Sequence, residues 1–274
     1  MLTTPAIVFT DLDGTLLNHQ SYAYAEALPA IHALRDALIP LVFATSKTWS
    51  EMRVLQREIG IIDPLIGENG SVLYLPKSQF PSGHGDWLEH DDFWHVEFAR
   101  PRNFWCRLLN EFSAQHTLLS MFSTMSIGDV RNATGLSYEA AERALDRAYT
   151  EPVIPLLSAE KTQELESMIE RHKGRIQRGG RFLTVGDDVS KGLAASYLID
   201  LLSSGDKHIP ATLALGDSGN DLALLDAVDA GVWIRSEYYP PPAGYDLAHC
   251  YVTNESGPSA WNKAVFAWLD KLNL

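Results

Sequence analysis

The segment Ala6-Ile7-Val8-Phe9-Thr10-Asp11-Leu12-Asp13-Gly14-Thr15 sets a short apolar run directly before two carboxylates. An uninterrupted run of this kind predicts a strand buried on both faces, as in a parallel sheet. Residues i and i+2 of extended backbone point to the same side, so Asp11 and Asp13 share one small space. Because like charges repel there, we expect a bound cation, and oxygen ligands favour Mg²⁺ over zinc.

Three further polar segments adjoin apolar strands or open a helix. Gly216-Asp217-Ser218-Gly219-Asn220-Asp221 comes directly after one apolar strand, Thr45-Ser46-Lys47 ends another, and Lys191 opens a predicted helix. Taken singly, these segments and the first one have ordinary explanations. Asp13-Gly14 could be a turn, the segment at 216–221 a turn and helix cap, and Lys191 a solvated lysine. Open α/β sheets place their sites at the carboxyl ends of their strands, so together these residues predict one site.

The chemistry of this set is that of phosphoryl transfer through an aspartyl phosphate. A carboxylate is the nucleophile, a metal and Lys191 balance charge on the transferring group, and the Thr45 hydroxyl and backbone amides orient it. A signalling receiver domain uses a similar set and is the alternative from another functional class. It is disfavoured because Asp13, two residues after Asp11, supplies the acid–base group that hydrolysis needs.

The pattern along the chain predicts a core interrupted by a second unit. Strands alternate with helices up to about residue 83 and again after residue 189, which predicts a Rossmann-like core around a parallel sheet. Residues 84–102 are instead rich in aromatic, acidic and histidine side chains and lack clear periodicity. We therefore predict an α/β protein whose catalytic core is formed by 1–83 and 189–274, with an α/β cap inserted at 84–188.

Composition limits the partners and the setting. The chain has 274 residues, and its 22 basic and 35 acidic side chains give a net charge of −13, which opposes binding to nucleic acid or anionic membranes. No apolar run reaches the about 18 residues that cross a bilayer, and no basic region precedes the first apolar stretch, so neither a membrane span nor a secretory signal is expected. Its two cysteines, Cys106 and Cys250, have no metal-site spacing, so a cytoplasmic setting is expected.

The polar segments resemble the four motifs of the haloacid dehalogenase superfamily of phosphohydrolases, in the same order. These are Asp11-x-Asp13-Gly14-Thr15, Thr45 after a strand, Lys191, and Gly216-Asp217-x-x-Asn220-Asp221. The resemblance implies that Asp11 is the nucleophile and that Asp13 is the general acid for the leaving oxygen. It also implies that Thr45 and Lys191 hold the phosphoryl group, and that the inserted unit is the α/β cap of one class of the superfamily.

The same resemblance implies a set of Mg²⁺ ligands. They are the carboxylates of Asp11 and Asp217 and the backbone carbonyl of Asp13. Asn220 and Asp221 support the site.

A narrower resemblance, to the mannosyl-3-phosphoglycerate phosphatase family, extends over nearly the whole chain. Its motifs are Thr45-Ser46-Lys47-Thr48, Glu68-Asn69-Gly70, Thr134-Gly135-Leu136-Ser137, Glu151-Pro152, Gly179-Gly180-Arg181-Phe182 and Gly257-Pro258-x-x-Trp261. This likeness implies a small anionic sugar phosphate as substrate and release of mannosylglycerate, a compatible solute. Glucosyl-3-phosphoglycerate or another sugar phosphate is the alternative substrate, and a phosphomannomutase is the related alternative activity.

Six residues are candidates for binding this substrate: Ser46, Lys47, Asn69, Arg178, Gly180 and Arg181. The segment Arg178-Gly179-Gly180-Arg181 suits a glycerate carboxylate, because guanidinium binds carboxylate in a fork and glycines permit close approach of the backbone. A hairpin turn with two solvated arginines is the ordinary alternative for the same segment.

Overall fold

The computed structural model describes residues 4–116, 119–155, 158–178, 182–203, 210–238, 240–241 and 249–274. The strands in these ranges are β1 (Ala6–Thr10), β2 (Leu41–Ala44), β3 (Leu65–Gly67), β4 (Val72–Pro76), β5 (Leu88–His90), β6 (Phe93–Glu97), β7 (Leu119–Met121), β8 (Glu151–Pro155), β9 (Gly174–Arg178), β10 (Leu183–Asp187), β11 (Ala211–Gly216), β12 (Ala230–Trp233) and β13 (Cys250–Val252). The α-helices are α1 (Leu28–Asp36), α2 (Trp49–Ile59), α3 (Arg102–His116), α4 (Ile127–Thr134), α5 (Tyr138–Leu145), α6 (Ala159–Arg171), α7 (Lys191–Ser203), α8 (Leu222–Asp226) and α9 (Gly257–Leu272). Single 3-10 turns lie at Ala25–Ala27, Glu68–Gly70, Phe122–Thr124 and Gly219–Asp221. Among the described residues, none of the helices combines the length and apolar character that crossing a membrane requires.

The described strands form one large and one small sheet. The large sheet has the order β13-β12-β11-β1-β2-β3-β4-β6-β5, and its strands from β13 to β3 pair in parallel. In its centre, Thr10 at the end of β1 lies opposite Leu215 of β11 on one side and Phe43 of β2 on the other. The carboxyl ends of β1, β2 and β11 therefore meet at one edge of the sheet, where Asp11 follows β1.

The predicted α/β fold with a parallel sheet is confirmed. Every residue of β1 is buried, as expected for a strand without polar alternation. Helix α7 begins at Lys191, and α9 has Pro258 in its first turn, where the missing backbone N–H of proline costs nothing. The small sheet, β7-β8-β10-β9, is antiparallel.

The chain separates into two compact units. Unit 1 comprises 1–45, 59–96 and 190–274, and unit 2 comprises 46–58 and 97–189. The sequence places the start of the inserted unit at 84, whereas the hairpin of β5 and β6 extends the large sheet beside β4. The hairpin is held beside β4 by backbone pairing, since the N–H of Lys77 just after β4 donates to the Asp92 carbonyl at 2.8 Å.

Unit 2 also contains residues 46–58, which include most of α2 and lie far along the sequence from the predicted insertion at 84–188. The Thr48 hydroxyl donates to the Arg143 carbonyl at 2.9 Å, and the Ser50 hydroxyl donates to the Asp146 carboxylate. The Arg147 guanidinium donates to the Ser46 carbonyl at 3.2 Å. These bonds link residues about a hundred positions apart, so residues 46–58 pack with the end of α5.

Candidate active site

The backbone of unit 1 places Asp11 beside the segment that follows β11. The Asp11 N–H donates to the Leu215 carbonyl at 2.9 Å, which continues the parallel pairing of β1 and β11 by one residue. The chain then turns at once, since the Gly14 N–H donates to the Leu17 carbonyl at 2.9 Å. Both predicted acidic segments thus leave neighbouring strands at the same edge.

Gly14 is required by this turn for two reasons. Its φ of +87° is in the left-handed region that L side chains avoid. A Cβ atom at this position would lie 2.6 Å from the Asp217 Oδ2 atom. The glycine therefore lets the loop after β1 approach the carboxylate after β11.

Lys191 joins two of the carboxylates. Its Nζ atom lies 2.6 Å from Asp11 Oδ1 and 2.6 Å from Asp221 Oδ1, and its side chain is 0% exposed. Burial alone would lower the pKa of Lys191, but the charges of Asp11 and Asp221 outweigh it and hold its pKa above the usual value. The lysine is therefore a buried, charged ammonium group.

Asp217 and Asp221 complete the acidic cluster. The Thr15 hydroxyl donates to Asp217 Oδ1 at 3.2 Å, and the Asp217 N–H donates to Asp221 Oδ2 at 3.0 Å. One carboxylate oxygen from each of Asp11, Asp217 and Asp221 lies within 4.8 Å of the other two. The Asp217 Oδ2 atom is buried and has no hydrogen-bond partner among the described residues.

Burial and mutual repulsion shift the pKa values of these carboxyl groups. Burial raises the pKa of Asp11 to about 7, with Lys191 opposing the shift and Asp221 adding to it. Burial, together with the negative charges of Asp11 and Asp221, raises the pKa of Asp217 to about 8. One ammonium group does not balance the carboxylates gathered here, so the cluster suits a divalent cation with oxygen ligands.

Thr45 and Asn220 are connected through Asn69. Thr45 is 1% exposed and follows β2, and its carbonyl accepts the Asn69 N–H at 2.9 Å. The Asn69 Oδ1 atom accepts the Asn220 side-chain amide at 3.1 Å. The predicted residues Thr45, Asn69 and Asn220 are therefore brought together within unit 1.

The other predicted substrate-binding residues belong to unit 2, whereas this cluster belongs to unit 1. Ser46 and Lys47 belong to unit 2, where Lys47 Nζ lies 3.9 Å from a Glu51 carboxylate oxygen. Arg178 ends β9 with a side chain that is 64% exposed, and it pairs with Glu166 on α6. Gly180 and Arg181 lie outside the described residues.

Thr15 has a contact that sequence reasoning did not assign. The Asp-x-Asp-Gly-Thr segment singles out this threonine, but only the fold reveals that its hydroxyl meets Asp217, 202 positions later. Asp13, the predicted general acid, forms an isolated β-bridge with Leu17 in the turn after β1.

Comparison with known proteins gives matches over part and over nearly all of the chain. Residues 8–83 match the family model of haloacid dehalogenase-like hydrolases. A glucosyl-3-phosphoglycerate/mannosyl-3-phosphoglycerate phosphatase of Persephonella marina is 30% identical over 97% of this chain and 98% of its own. A phosphatase of the same name from Methanococcoides burtonii is 31% identical over 97% of this chain and 98% of its own.

Solved structures share the fold. A haloacid dehalogenase-like hydrolase from Bacteroides thetaiotaomicron superposes with a TM-score of 0.67 over 96% of this chain and 99% of that chain. At 16% sequence identity, this likeness concerns the fold alone.

Proposed function

The chain belongs to the glucosyl-3-phosphoglycerate/mannosyl-3-phosphoglycerate phosphatase family of haloacid dehalogenase-like hydrolases, and we propose that it hydrolyses mannosyl-3-phosphoglycerate. The products are mannosylglycerate and inorganic phosphate. The observation that carries this proposal is the buried cluster in which Lys191 joins Asp11 to Asp221. One carboxylate oxygen of Asp217 lies within 4.8 Å of an oxygen of each of these two acids. The proposed nucleophile therefore lies in contact with a buried cation.

In the proposed reaction, a carboxylate oxygen of Asp11 attacks phosphorus and forms an aspartyl phosphate. The bond from phosphorus to the glycerate oxygen breaks, and Asp13 gives that oxygen its proton. Asp13 then takes a proton from water, which attacks phosphorus and releases phosphate and the Asp11 carboxylate. Lys191, with its raised pKa, stays charged and offsets negative charge on the phosphoryl group.

We assign Mg²⁺ to the acidic cluster, with Asp11, Asp217 and the Asp13 carbonyl as ligands and Asn220 and Asp221 in support. The fit rests on the oxygen-only donors and on the buried Asp217 Oδ2 atom. When bound, the ion supplies positive charge that offsets repulsion between the carboxylates and the phosphoryl oxygens.

Unit 1 is assigned the chemistry and unit 2 the choice of substrate. Thr45 and Lys191 hold the phosphoryl group, while the candidates for the glycerate and the sugar in unit 2 are Ser46, Lys47, Arg178, Gly180 and Arg181. Arg178 has a mostly exposed guanidinium that now pairs with Glu166, and a carboxylate ligand would compete for it. The proposed setting is the cytoplasm, where Cys106 and Cys250 stay reduced.

The second candidate substrate is glucosyl-3-phosphoglycerate. The relatives from Persephonella marina and Methanococcoides burtonii carry names that include the two glycosyl-3-phosphoglycerates. The two substrates differ only in the sugar, so the chemistry at Asp11 is the same for each. A phosphomannomutase-like activity would need a bisphosphate activator and would release little phosphate.

The test is phosphate release from purified mannosyl-3-phosphoglycerate, with Mg²⁺ and with the metal chelated. Glucosyl-3-phosphoglycerate, mannose 1-phosphate and p-nitrophenyl phosphate are measured in parallel. Rapid release that chelation abolishes, with the highest kcat/KM for the mannosyl substrate, is expected. A higher kcat/KM for the glucosyl substrate would change the sugar, and release from none of the four would overturn the activity.

A further inference from the structure

The turn Glu68–Gly70 has an unusual backbone. Its three residues have φ values of 45°, 63° and 94°, all in the left-handed region. Glu68 and Asn69 are 2% and 3% exposed, so the turn is also buried. Non-glycine residues in this region are strained, and such strain persists only where surrounding contacts enforce it. Asparagine bears the left-handed conformation better than most residues.

One side of this turn holds the loop after β2. The Asn69 N–H donates to the Thr45 carbonyl at 2.9 Å, and the Thr45 N–H donates to the Ile66 carbonyl at 3.0 Å. Thr45 is therefore fixed on both sides of its own backbone by residues of β3 and the turn. Its carbonyl accepts the N–H of Asn69, a residue in the left-handed region.

The other side of the turn holds the segment after β11. The Asn69 side-chain oxygen accepts the Asn220 amide at 3.1 Å, across 151 positions of sequence. Asn220 is the fifth of the six residues of the acidic segment and directly precedes Asp221. The bond therefore ties the turn to the residue before the acid that contacts Lys191.

The turn also abuts the start of α7. A Cβ atom added to Gly70 would lie 2.1 Å from the Ser190 carbonyl oxygen and 2.7 Å from the Lys191 nitrogen. Only a glycine leaves room for the helix to begin here. The turn thus contacts the backbones that carry Thr45 and Lys191 as well as the Asn220 side chain.

We propose that Asn69 is a positioning residue, which fixes Thr45 and Asn220 relative to each other, and does not bind the sugar phosphate. This inference rests on the proposed phosphoryl transfer at Asp11. The Asn69 side chain is buried, and its amide oxygen is already used by Asn220. A residue that aligns the groups around phosphorus affects every substrate equally, whereas a sugar or glycerate ligand affects only the substrate that carries those groups.

The test compares Asn69→Gly with the wild type on mannosyl-3-phosphoglycerate and on p-nitrophenyl phosphate. Glycine keeps the left-handed backbone without strain and removes only the side chain. We expect kcat to fall by about 10- to 100-fold, the usual range for residues that orient others, and by the same factor for both substrates. The KM of each substrate should change little. Asn18→Gly, at an exposed turn of unit 1, is the matched control and should leave both activities unchanged.

A double-mutant cycle with Asn220→Ala separates positioning from general loss of stability. Because both substitutions remove the same bond, the double variant should lose less activity than the product of the two single losses. Independent losses, or a KM increase confined to mannosyl-3-phosphoglycerate, would overturn the proposal. p-Nitrophenyl phosphate carries no sugar, so the comparison stays valid if the natural sugar differs. Failure of the proposed chemistry is detected separately, as phosphatase activity that survives Asp11→Asn.

Discussion

The indole Nε1 of Trp261 donates a hydrogen bond to the Thr10 hydroxyl at 2.9 Å, deep in the core of unit 1. The same hydroxyl donates to the Asp11 carbonyl at 2.7 Å. Trp261 and Thr10 are both 0% exposed. The last helix is thereby connected through two hydrogen bonds to the backbone of the proposed nucleophile.

Trp261→Phe should lower the free energy of unfolding by about 1–3 kcal/mol, because it leaves the buried Thr10 oxygen without its donor. Urea denaturation of the variant and the wild type measures this difference. Trp268→Phe on the same helix is the control, since its indole makes no such bond within the described chain, and it should cost less. Equal losses for the two variants would show that ring packing alone matters.

Lys191→Met should reduce kcat/KM by at least about 100-fold, because it removes the cation that touches Asp11 and Asp221. Steady-state kinetics with p-nitrophenyl phosphate measures the loss. The exposed Lys263→Met serves as the control and should retain full activity. Wild-type turnover in the Lys191 variant would remove the lysine from the mechanism.

Asp217→Asn should weaken Mg²⁺ binding by about 10-fold or more, because the buried Oδ2 atom is replaced by an amide or a neutral oxygen. Calorimetric titration of the chelator-treated protein measures the affinity without reference to activity. With the metal chelated and the pH above the raised pKa of Asp217, about 8, the variant should also have a higher Tm than the wild type, since the ionised carboxylate that repels Asp11 and Asp221 is gone. An unchanged affinity would exclude Asp217 as a ligand.

Glu151→Gln should destabilise unit 2 by about 3–5 kcal/mol, because Glu151 is fully buried and is the charge partner of Arg102. Its other oxygen accepts the Ser123 N–H at 2.8 Å, which ties β8 to the turn after β7. Thermal unfolding and urea titration measure the loss. The exposed Glu255→Gln provides the control. A loss below about 1 kcal/mol would place this pair with ordinary surface ion pairs.

Asp63→Asn should flatten the dependence of stability on pH. Burial raises the pKa of Asp63 in the folded protein, and its hydrogen bonds with the Leu41 N–H and Gln79 only partly oppose this. A raised carboxyl pKa means that the folded state holds its proton more tightly than the unfolded state. The stability from this group is therefore full below the unfolded pKa of about 3.9 and is lost as pH rises through the folded pKa.

Unfolding free energies at several pH values from about 4 upward measure this effect. The wild type should lose more stability than Asp63→Asn over that range. Parallel curves for the two proteins would contradict the assignment.

The position of the acidic residues at the edge of the sheet could be predicted from sequence, because the apolar strands before them are local patterns. An apolar strand before Asp11 and another before Asp217 suffice to place both acids at strand ends, and parallel pairing then brings them together. Lys191 begins a helix in the structure as it does in the pattern. The contact between its ammonium group and both Asp11 and Asp221 needed the packing of α7 against the sheet.

Other elements carried weak or non-local signals. Strands β5 and β6 are three and five residues long and carry histidine and tryptophan, so they lack the alternation by which a strand is recognised. Helix α4 is only eight residues long, and its local signals are the capping box of Ser126 and Asp129 and the left-handed Gly135 at its end. The bond between Thr48 and the Arg143 carbonyl joins residues 95 positions apart, so no local pattern could place α2 in unit 2.

The partition of the chain bears on how such enzymes can be recombined. The chain changes unit after Thr45, 58, 96 and 189, so the smaller unit is made of two segments. A chimera that exchanges 97–189 alone would leave Thr48 and Ser50 of the host facing a foreign helix end in place of Arg143 and Asp146. Exchanging unit 2 between two relatives therefore calls for two coordinated exchanges, and the first of them begins one peptide bond beyond Thr45.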